Sequence, residues 1–514
     1  MKNNSTRIGS RPQLSVAFAA LLTFAIAPWG CGSASESTGA GGSGPSASGG
    51  FDQAGASGVR PAAGGTSAGG VSSGGTSVGG GAGTGVSVGG TAMASGGSNV
   101  GAAGKGGASS GGSSAGGASG GTGGALNCGT TAPRVTFSKN IRLNDDTGNG
   151  NQSEVTMATG PNGLVVAGWM DARASRVCAF AVSTDGGATF GKNVSIPNAT
   201  GQFVGDPAVA IDGGGTIYAV CQEYLNVDAG TGNIRLMTST NRGQTWSAIS
   251  TIQSAPDKPW AAGGVTDGTV FVSWLGSKAG IKRSLDHGAT WEATQSLGNI
   301  IHGTAIVTST TGLVHVPYNL DSDRNQLRYL RSSDGGAKWD KTRDLIADMG
   351  AFCFECSPRQ HPIVGAASDP TGKTVAITWT SKMSGGQGDD DVWLLYSKDG
   401  GDTWTKPLRV NDNATASRQF QSWVAVDACH RVHVAWTDLR NGKNEVWYAR
   451  SADPTQGFEP NIQVTDGSGS ANTDFLGDYK GLAVLGSDVV VVWNDTRRDS
   501  GDIFFSRAVG AAGP

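Results

Sequence analysis

The 514-residue chain has little charge to spare: 38 Lys and Arg stand against 41 Asp and Glu, for a net charge of −3. Such a balance gives no basic field of the kind that holds DNA or RNA, so nucleic acid is not an expected partner. A long hydrophobic run is missing too. The apolar stretch from Leu14 to Ala27 falls short of the roughly 20 residues a membrane-spanning helix needs. Helical periodicity is absent from residues 128–514, where short β-rich runs alternate with Gly, Asn and Asp turns, the pattern of an all-β head. A second CxxC is also lacking. Cys353-Phe-Glu-Cys356 stands alone, which argues against zinc and for a local disulfide tying down a loop. Neither a metal nor a cofactor is expected.

The front of the chain reads as an address. Lys2, Arg7 and Arg11 precede the apolar stretch, and Gly30-Cys31 follows it as the cleavage point of a bacterial lipoprotein signal would. Residues 1–31 are therefore expected to be an export signal of lipoprotein type, with Cys31 lipidated. Pro28 and Trp29 depart from the usual aliphatic-small sequence before the cysteine, which keeps plain secretion as the alternative. Residues 32–127 are almost entirely Gly, Ser, Ala and Thr and lack the apolar content to build a core. They are expected to form a disordered tether with an r.m.s. span of roughly 55 Å. The expected location is the cell surface or outer membrane, touching the membrane only through the anchor. Six cysteines remain beyond Cys31, an even number that suits disulfides in an exported, monomeric protein without fixing their pairing.

One signature recurs five times in the head, residues 128–514. Its copies are Ser183-Thr-Asp185-Gly-Gly187-Ala-Thr189-Phe190, Ser239-Thr-Asn241-Arg-Gly243-Gln-Thr245-Trp246, Ser284-Leu-Asp286-His-Gly288-Ala-Thr290-Trp291, Ser332-Ser-Asp334-Gly-Gly336-Ala-Lys338-Trp339 and Ser397-Lys-Asp399-Gly-Gly401-Asp-Thr403-Trp404. Ser and Asp oxygens accept the amides of a tight turn, and Gly permits positive φ. Recurrence about every 45 to 65 residues marks a repeat unit that cannot bury its own face alone. The pattern resembles the Asp-box (BNR) repeat of sialidases and related propellers, directly over residues 183–404. The resemblance implies a sialidase-like β-propeller with the box between the third and fourth strands of each blade. The same turn occurs in other glycosidases, in sorting receptors and in non-enzymatic assembly factors, so it implies a fold more than an activity.

Aligned on the boxes, the head divides into seven four-stranded units. The sixth, Gln421 to Asp466, has a decayed box at Ser451-Ala-Asp453; the seventh, Asp478 to Gly510, has three strands and no box. Lys139–Asp145 matches the fourth-strand sequence Pro407–Asp412, which predicts that the N-terminal segment closes the last blade beside Ile503–Arg507 and leaves no open edge. True sialidases have six blades, the alternative count.

Chemistry is expected on the face opposite the boxes. Three loops there share Trp169-Met-Asp171-Ala-Arg173, Trp436-Thr-Asp438-Leu-Arg440 and Trp493-Asn-Asp495-Thr-Arg497, in blades 1, 6 and 7. Either each Asp–Arg pair braces its loop against the next blade, or the three form an anion-binding sector. Blade-to-blade loops add Asp206, Asp257, Lys258, Trp260, His302, Arg359, His361, Asp478 and Tyr479, and Tyr224 and Tyr318 are expected on the same face, with Glu223 beside Tyr224. Sialidases use a Tyr nucleophile polarised by Glu, an Asp acid/base and three Arg on the substrate carboxylate. Tyr479 is the candidate that matches the tyrosine of the resemblance; Asp478, Asp495, Asp438 and Asp171 are catalytic candidates because glycoside cleavage of another kind needs only two carboxylates, with Arg173, Arg440, Arg497, Asp206, Asp257, Lys258 and Trp260 on substrate. The sialidase F-R-I-P string is missing, and its nearest relative, Ile141-Arg142-Leu143, falls in an outer strand. Two functions fit: a surface exo-glycosidase acting on glycans, or a propeller that binds carbohydrate or protein without catalysis.

Overall fold

A computed structural model describes Cys128 and residues 134–512, apart from 148–149, 173–175, 199–202, 227–230, 255–256, 301–302, 321–324, 353–355, 357, 384–388, 471–474 and 499. Cys31, the tether, Arg173, His302 and Cys353 lie outside the described residues.

Runs rich in Val, Ala and aromatics pair as seven antiparallel sheets, each with its innermost strand first in sequence. Blade 1 orders Gln152–Gly160, Leu164–Asp171, Val177–Ser183 and Val194–Ile196; blade 2 orders Phe203–Ile211, Ile217–Asn226, Thr231–Ser239 and Ser250–Ser254. Blades 4, 5 and 6 begin at Val307, Gly365 and Gln419 and follow the same plan. In blade 3 the second and third positions are one continuous element, Val270–Ser284, between Asp257–Gly263 and Gln295–Ile300, so that sheet counts three strands. Blade 7 places Gly481–Leu485, Asp488–Asp495 and Asp502–Ala508 beside Ile141–Arg142. Ile141 faces Phe505 and Arg142 faces Phe504, so the N-terminal strand closes the ring where the repeat alignment put it.

The boxes do what their residue types dictate. In blade 1 the Ser183 hydroxyl accepts the Gly187 amide at 2.8 Å, while Asp185 accepts the Thr189 amide at 2.9 Å and its hydroxyl at 2.6 Å. Gly187 has φ +84°, and a Cβ there would meet the Phe505 ring of blade 7 at 2.3 Å, so no other residue fits. A residue just ahead of the box then links blade to blade. Arg283 donates to Gly335 O, Arg331 to Gly400 O and Arg507 to Gly186 O, each reaching the next blade's box.

Indoles fill the space between sheets. Trp169, Trp379, Trp436 and Trp493 are fully buried near the ends of second strands, each worth about 5 kcal/mol of apolar burial. Blade 2 has Cys221 in that slot, and Cys221 is bonded to Cys178 of blade 1. A second disulfide ties Cys128 to Cys429, in the turn after blade 6's inner strand. Cys356 is disulfide-bonded as well, while its expected partner Cys353 lies outside the described residues.

Candidate functional site

Four inner strands break their register at the same place. The shifts fall between Ser153 and Thr156, Gly205 and Ala208, Asp257 and Trp260, and Phe420 and Trp423. Inside them Glu154, Asp206, Lys258 and Gln421 take φ of +55°, +45°, +40° and +55°. Left-handed backbone at a residue other than Gly is costly and survives only where its surroundings enforce it, and a bulge re-aims the side chain it carries. The result is a set of polar side chains from separate blades brought together where the inner strands begin.

Lys258 is the hub. Its ammonium lies 2.9 Å from Asp206, 2.8 Å from Asp478 and 3.8 Å from Glu154. Arg359 donates twice to Asp478, at 3.0 and 2.8 Å, and stands 3.7 Å from Glu154. His361 lies 3.8 Å from Asp478. Two phenols complete the cluster. Tyr224 donates to Asp206 and, at 2.6 Å, to Asp257; Tyr479 donates to Glu154 at 3.3 Å and to Asp206 at 3.4 Å. The loop carrying Asp478 and Tyr479 is held by Gln421, whose amide donates to Gly477 O at 2.5 Å. Gln421 accepts in turn from Thr437, which accepts from the Nζ of Lys480, a group whose burial pushes it well below the usual lysine range.

Burial and neighbouring charge split the carboxyl groups. Burial first, then the adjacent Asp206 carboxylate, pushes Glu154 well above the usual carboxylate range. Burial also opposes the charge on Asp206, but Lys258 and hydrogen bonds from Glu154 and Tyr224 outweigh it and hold Asp206 at about 2. Asp257 is pushed up to about 6 by burial, with Asp206 adding to it. Asp478 stays well below the usual range because Lys258, His361 and Arg359 overcome its burial. Burial drives His361 down to about 4, so it is neutral. Burial and then Glu154 raise Tyr479, and burial and then Asp206 raise Tyr224, so both phenols stay protonated.

Beneath the cluster Trp260 meets Trp423 at 5.1 Å and Tyr479 edge-on at 5.3 Å. Beyond this aromatic plug, toward the boxes, the inner strands enclose a channel of about 600 Å³ lined by residues such as Thr159, Ile211, Thr308, Ser368 and Val484. The channel and the charged cluster thus lie on opposite sides of the Trp260–Trp423 pair.

The structure therefore gathers Tyr479, Asp478, Asp206, Asp257, Lys258 and Trp260 from the sequence candidates. Tyr224, Arg359 and His361, which the sequence also placed on this face, join them, and the structure adds Glu154. The Trp-x-Asp-x-Arg loops have another place. Asp438 accepts from Trp436 at 2.7 Å and from Arg440 at 2.9 Å, and Arg440 also reaches Asp412 at 2.8 Å, reaches Asn461 at 3.1 Å and covers the Trp447 ring. Asp495 likewise accepts from Trp493 and Arg497, and Arg497 reaches Asp466 and Asn140. These contacts bridge outer strands of adjacent blades, so the expected anion sector of Asp438, Asp495, Arg440 and Arg497 is a set of blade braces. Asp171 is buried in the equivalent loop of blade 1. Glu154 escaped sequence reading because no motif surrounds it; the only shared hint was the Pro that follows the bulge residue at Asp206-Pro207 and Lys258-Pro259.

In architecture the chain is an all-β propeller of seven blades. No protein-family model matches its sequence, and no curated protein does. Among solved structures it is similar to the NanB sialidase of Streptococcus pneumoniae, at 13% identity and TM-score 0.44 over 59% of this chain and 67% of that one. It is similar to a protein of unknown function from Dyadobacter fermentans, at 15% identity and TM-score 0.46 over 73% of this chain and 99% of that one. It is also similar to the alpha-L-arabinanase of Penicillium chrysogenum, at 11% identity and TM-score 0.41 over 72% and 98%.

Proposed function

We propose that this propeller acts on glycans and hydrolyses a glycosidic bond at the axial cluster. The observation that carries the reading is a place where three groups meet: the Tyr479 hydroxyl lies 3.3 Å from Glu154 and 3.4 Å from Asp206, and Lys258 lies 2.9 Å from Asp206. Burial raises Glu154, while Lys258 outweighs burial at Asp206 and holds it low, and carboxyl groups split in this way suit acid and base roles. Glu154 is the proton donor to the departing oxygen, and Asp206, hydrogen-bonded to Glu154, is the base that takes the Tyr479 proton. Tyr479 also suits the nucleophile role that the Asp-box resemblance implies, because its proton has an acceptor within 3.4 Å in Asp206.

A panel of fluorogenic glycosides, sialosides included, tests this with the purified protein and its Glu154→Gln and Asp206→Asn variants. Turnover by the parent that both variants lose supports hydrolysis. Absence of turnover on every substrate sinks it.

A second reading has its own support. Lys258 and Arg359 are ion-paired within the cluster, as they would be in a propeller that binds glycan or protein without cleaving it. Glycan-array binding without turnover is its signature.

We also propose that the head works outside the cytoplasm, held through Cys31. The disulfides Cys128–Cys429 and Cys178–Cys221 support an oxidising compartment. Release of the protein from membranes by Cys31→Ser, with loss of metabolic lipid labelling, tests the anchor.

A further inference from the structure

We infer that the glycan this site takes is uncharged, and that an acidic sugar such as a sialoside or uronide is rejected. This rests on the axial cluster being the glycan site. It departs from the substrate that a sialidase-like architecture would suggest.

The argument is one of charge and commitment. Two cations, Lys258 and Arg359, face four carboxyl groups, Glu154, Asp206, Asp257 and Asp478. Even with Glu154 protonated the balance is one negative charge, and His361 adds none because its burial keeps it neutral. A substrate carboxylate placed here meets like charge in a water-poor site, where repulsion is screened least.

Both cations are also spoken for. Arg359 offers its fork to Asp478, whose side chain is fully buried, so turning that fork toward a substrate strips the aspartate of a bidentate partner. Lys258 sits between Asp206 and Asp478 at 2.9 and 2.8 Å and would have to leave both. Arg440 and Arg497, which could have formed a carboxylate clamp, are held at the blade joints by Asp438, Asp412, Asp495 and Asp466. A neutral sugar needs none of these cations displaced. Its hydroxyls pair with carboxylates as donors.

The test uses the full-length protein on paired probes: each neutral glycan beside its sialylated or uronic-acid counterpart, on an array, with matched fluorogenic glycosides in parallel. The expected result is a preference of at least about tenfold for the neutral member, in binding or in kcat/KM. Equal or better use of the acidic member overturns the inference, and so does failure to retain or cleave either member at millimolar concentration. Neutral glycan retained without turnover sustains the inference while sinking hydrolysis, so the two readings fail separately. Asp257→Asn removes one negative charge and should narrow the preference; a preference unchanged in a folded Asp257→Asn protein overturns charge as its cause. Should that variant not fold, the paired comparison on the parent protein still decides.

Discussion

Asp412 and Asn461 hold each other by their backbones: the Asp412 amide donates to the Asn461 side-chain oxygen at 2.8 Å, and the Asn461 amide donates to the Asp412 carboxylate at 2.9 Å. The two residues belong to the outer edges of blades 5 and 6. The same reciprocal clasp joins Asp466 to Asn140 across blades 6 and 7, and Asp145 to Asn193 across blades 7 and 1. Arg440 and Arg497 each brace one of these joints. Asn461→Ala should therefore cost about 1–2 kcal/mol in chemical denaturation, and the double variant with Asp412→Ala should cost little more than either alone. Additive losses would show that the clasp is not a unit.

Glu154→Gln should lower kcat by roughly 100-fold to 10,000-fold on the best glycoside with little change in KM, since the amide keeps the shape but carries no transferable proton. A leaving group acidic enough to depart without protonation should restore much of the rate. An equal loss for good and poor leaving groups would assign Glu154 a different role.

Asp257 is joined to Asp206 through the Tyr224 hydroxyl and gains its proton near 6, so the charge around Asp206 changes there and the acid limb of the pH–rate profile should fall at that pH. The Tyr224 hydroxyl donates to that carboxylate and favours its charged form, so Tyr224→Phe should move the limb upward. A limb that stays in place would detach Asp257 from the rate.

Acid should destabilise the fold through its buried imidazoles. His315 bonds Tyr329 at 2.6 Å and is pushed down to about 4, chiefly by burial; His433 bonds Tyr448 in the same way and is lowered too. A depressed pKa means that the unfolded chain binds the proton more tightly. Stability is then complete above about pH 6.5 and declines as pH falls toward 4, by about 1.4 kcal/mol per unit for His315, with His433 adding in the same direction. His315→Phe should flatten the decline of Tm over that window; an unchanged slope would place the acid sensitivity elsewhere.

Loss of the Cys178–Cys221 bond, by replacing both residues with Ser, should cost about 2–4 kcal/mol and lower Tm without altering the pH–rate profile, because the bond fills a structural slot between blades 1 and 2.

What could be read from the residues alone follows the reach of each signal. The boxes and the closing strand repeat as local strings, so the match of Lys139–Asp145 to Pro407–Asp412 carried blade count and closure correctly. The Trp-x-Asp-x-Arg loops repeat just as plainly, yet their partners are Asp412, Asn461, Asp466 and Asn140, residues of other blades that no local string marks. Asp478 and Tyr479 were legible as polar residues opening a blade. Glu154 was not, because its place depends on a strand bulge set by backbone geometry.

The Cys128–Cys429 bond has a mechanical consequence. The segment that shuts the ring pairs Ile141 and Arg142 with Phe505 and Phe504, and Phe137, Ser138, Leu143 and Asn144 extend its bonds along the last strand. Cys128 comes before that strand in the chain and is welded to a turn of blade 6 on the box side. A pull on the chain ahead of Cys128 is therefore borne by a covalent bond to blade 6 rather than by the hydrogen bonds of the closing strand.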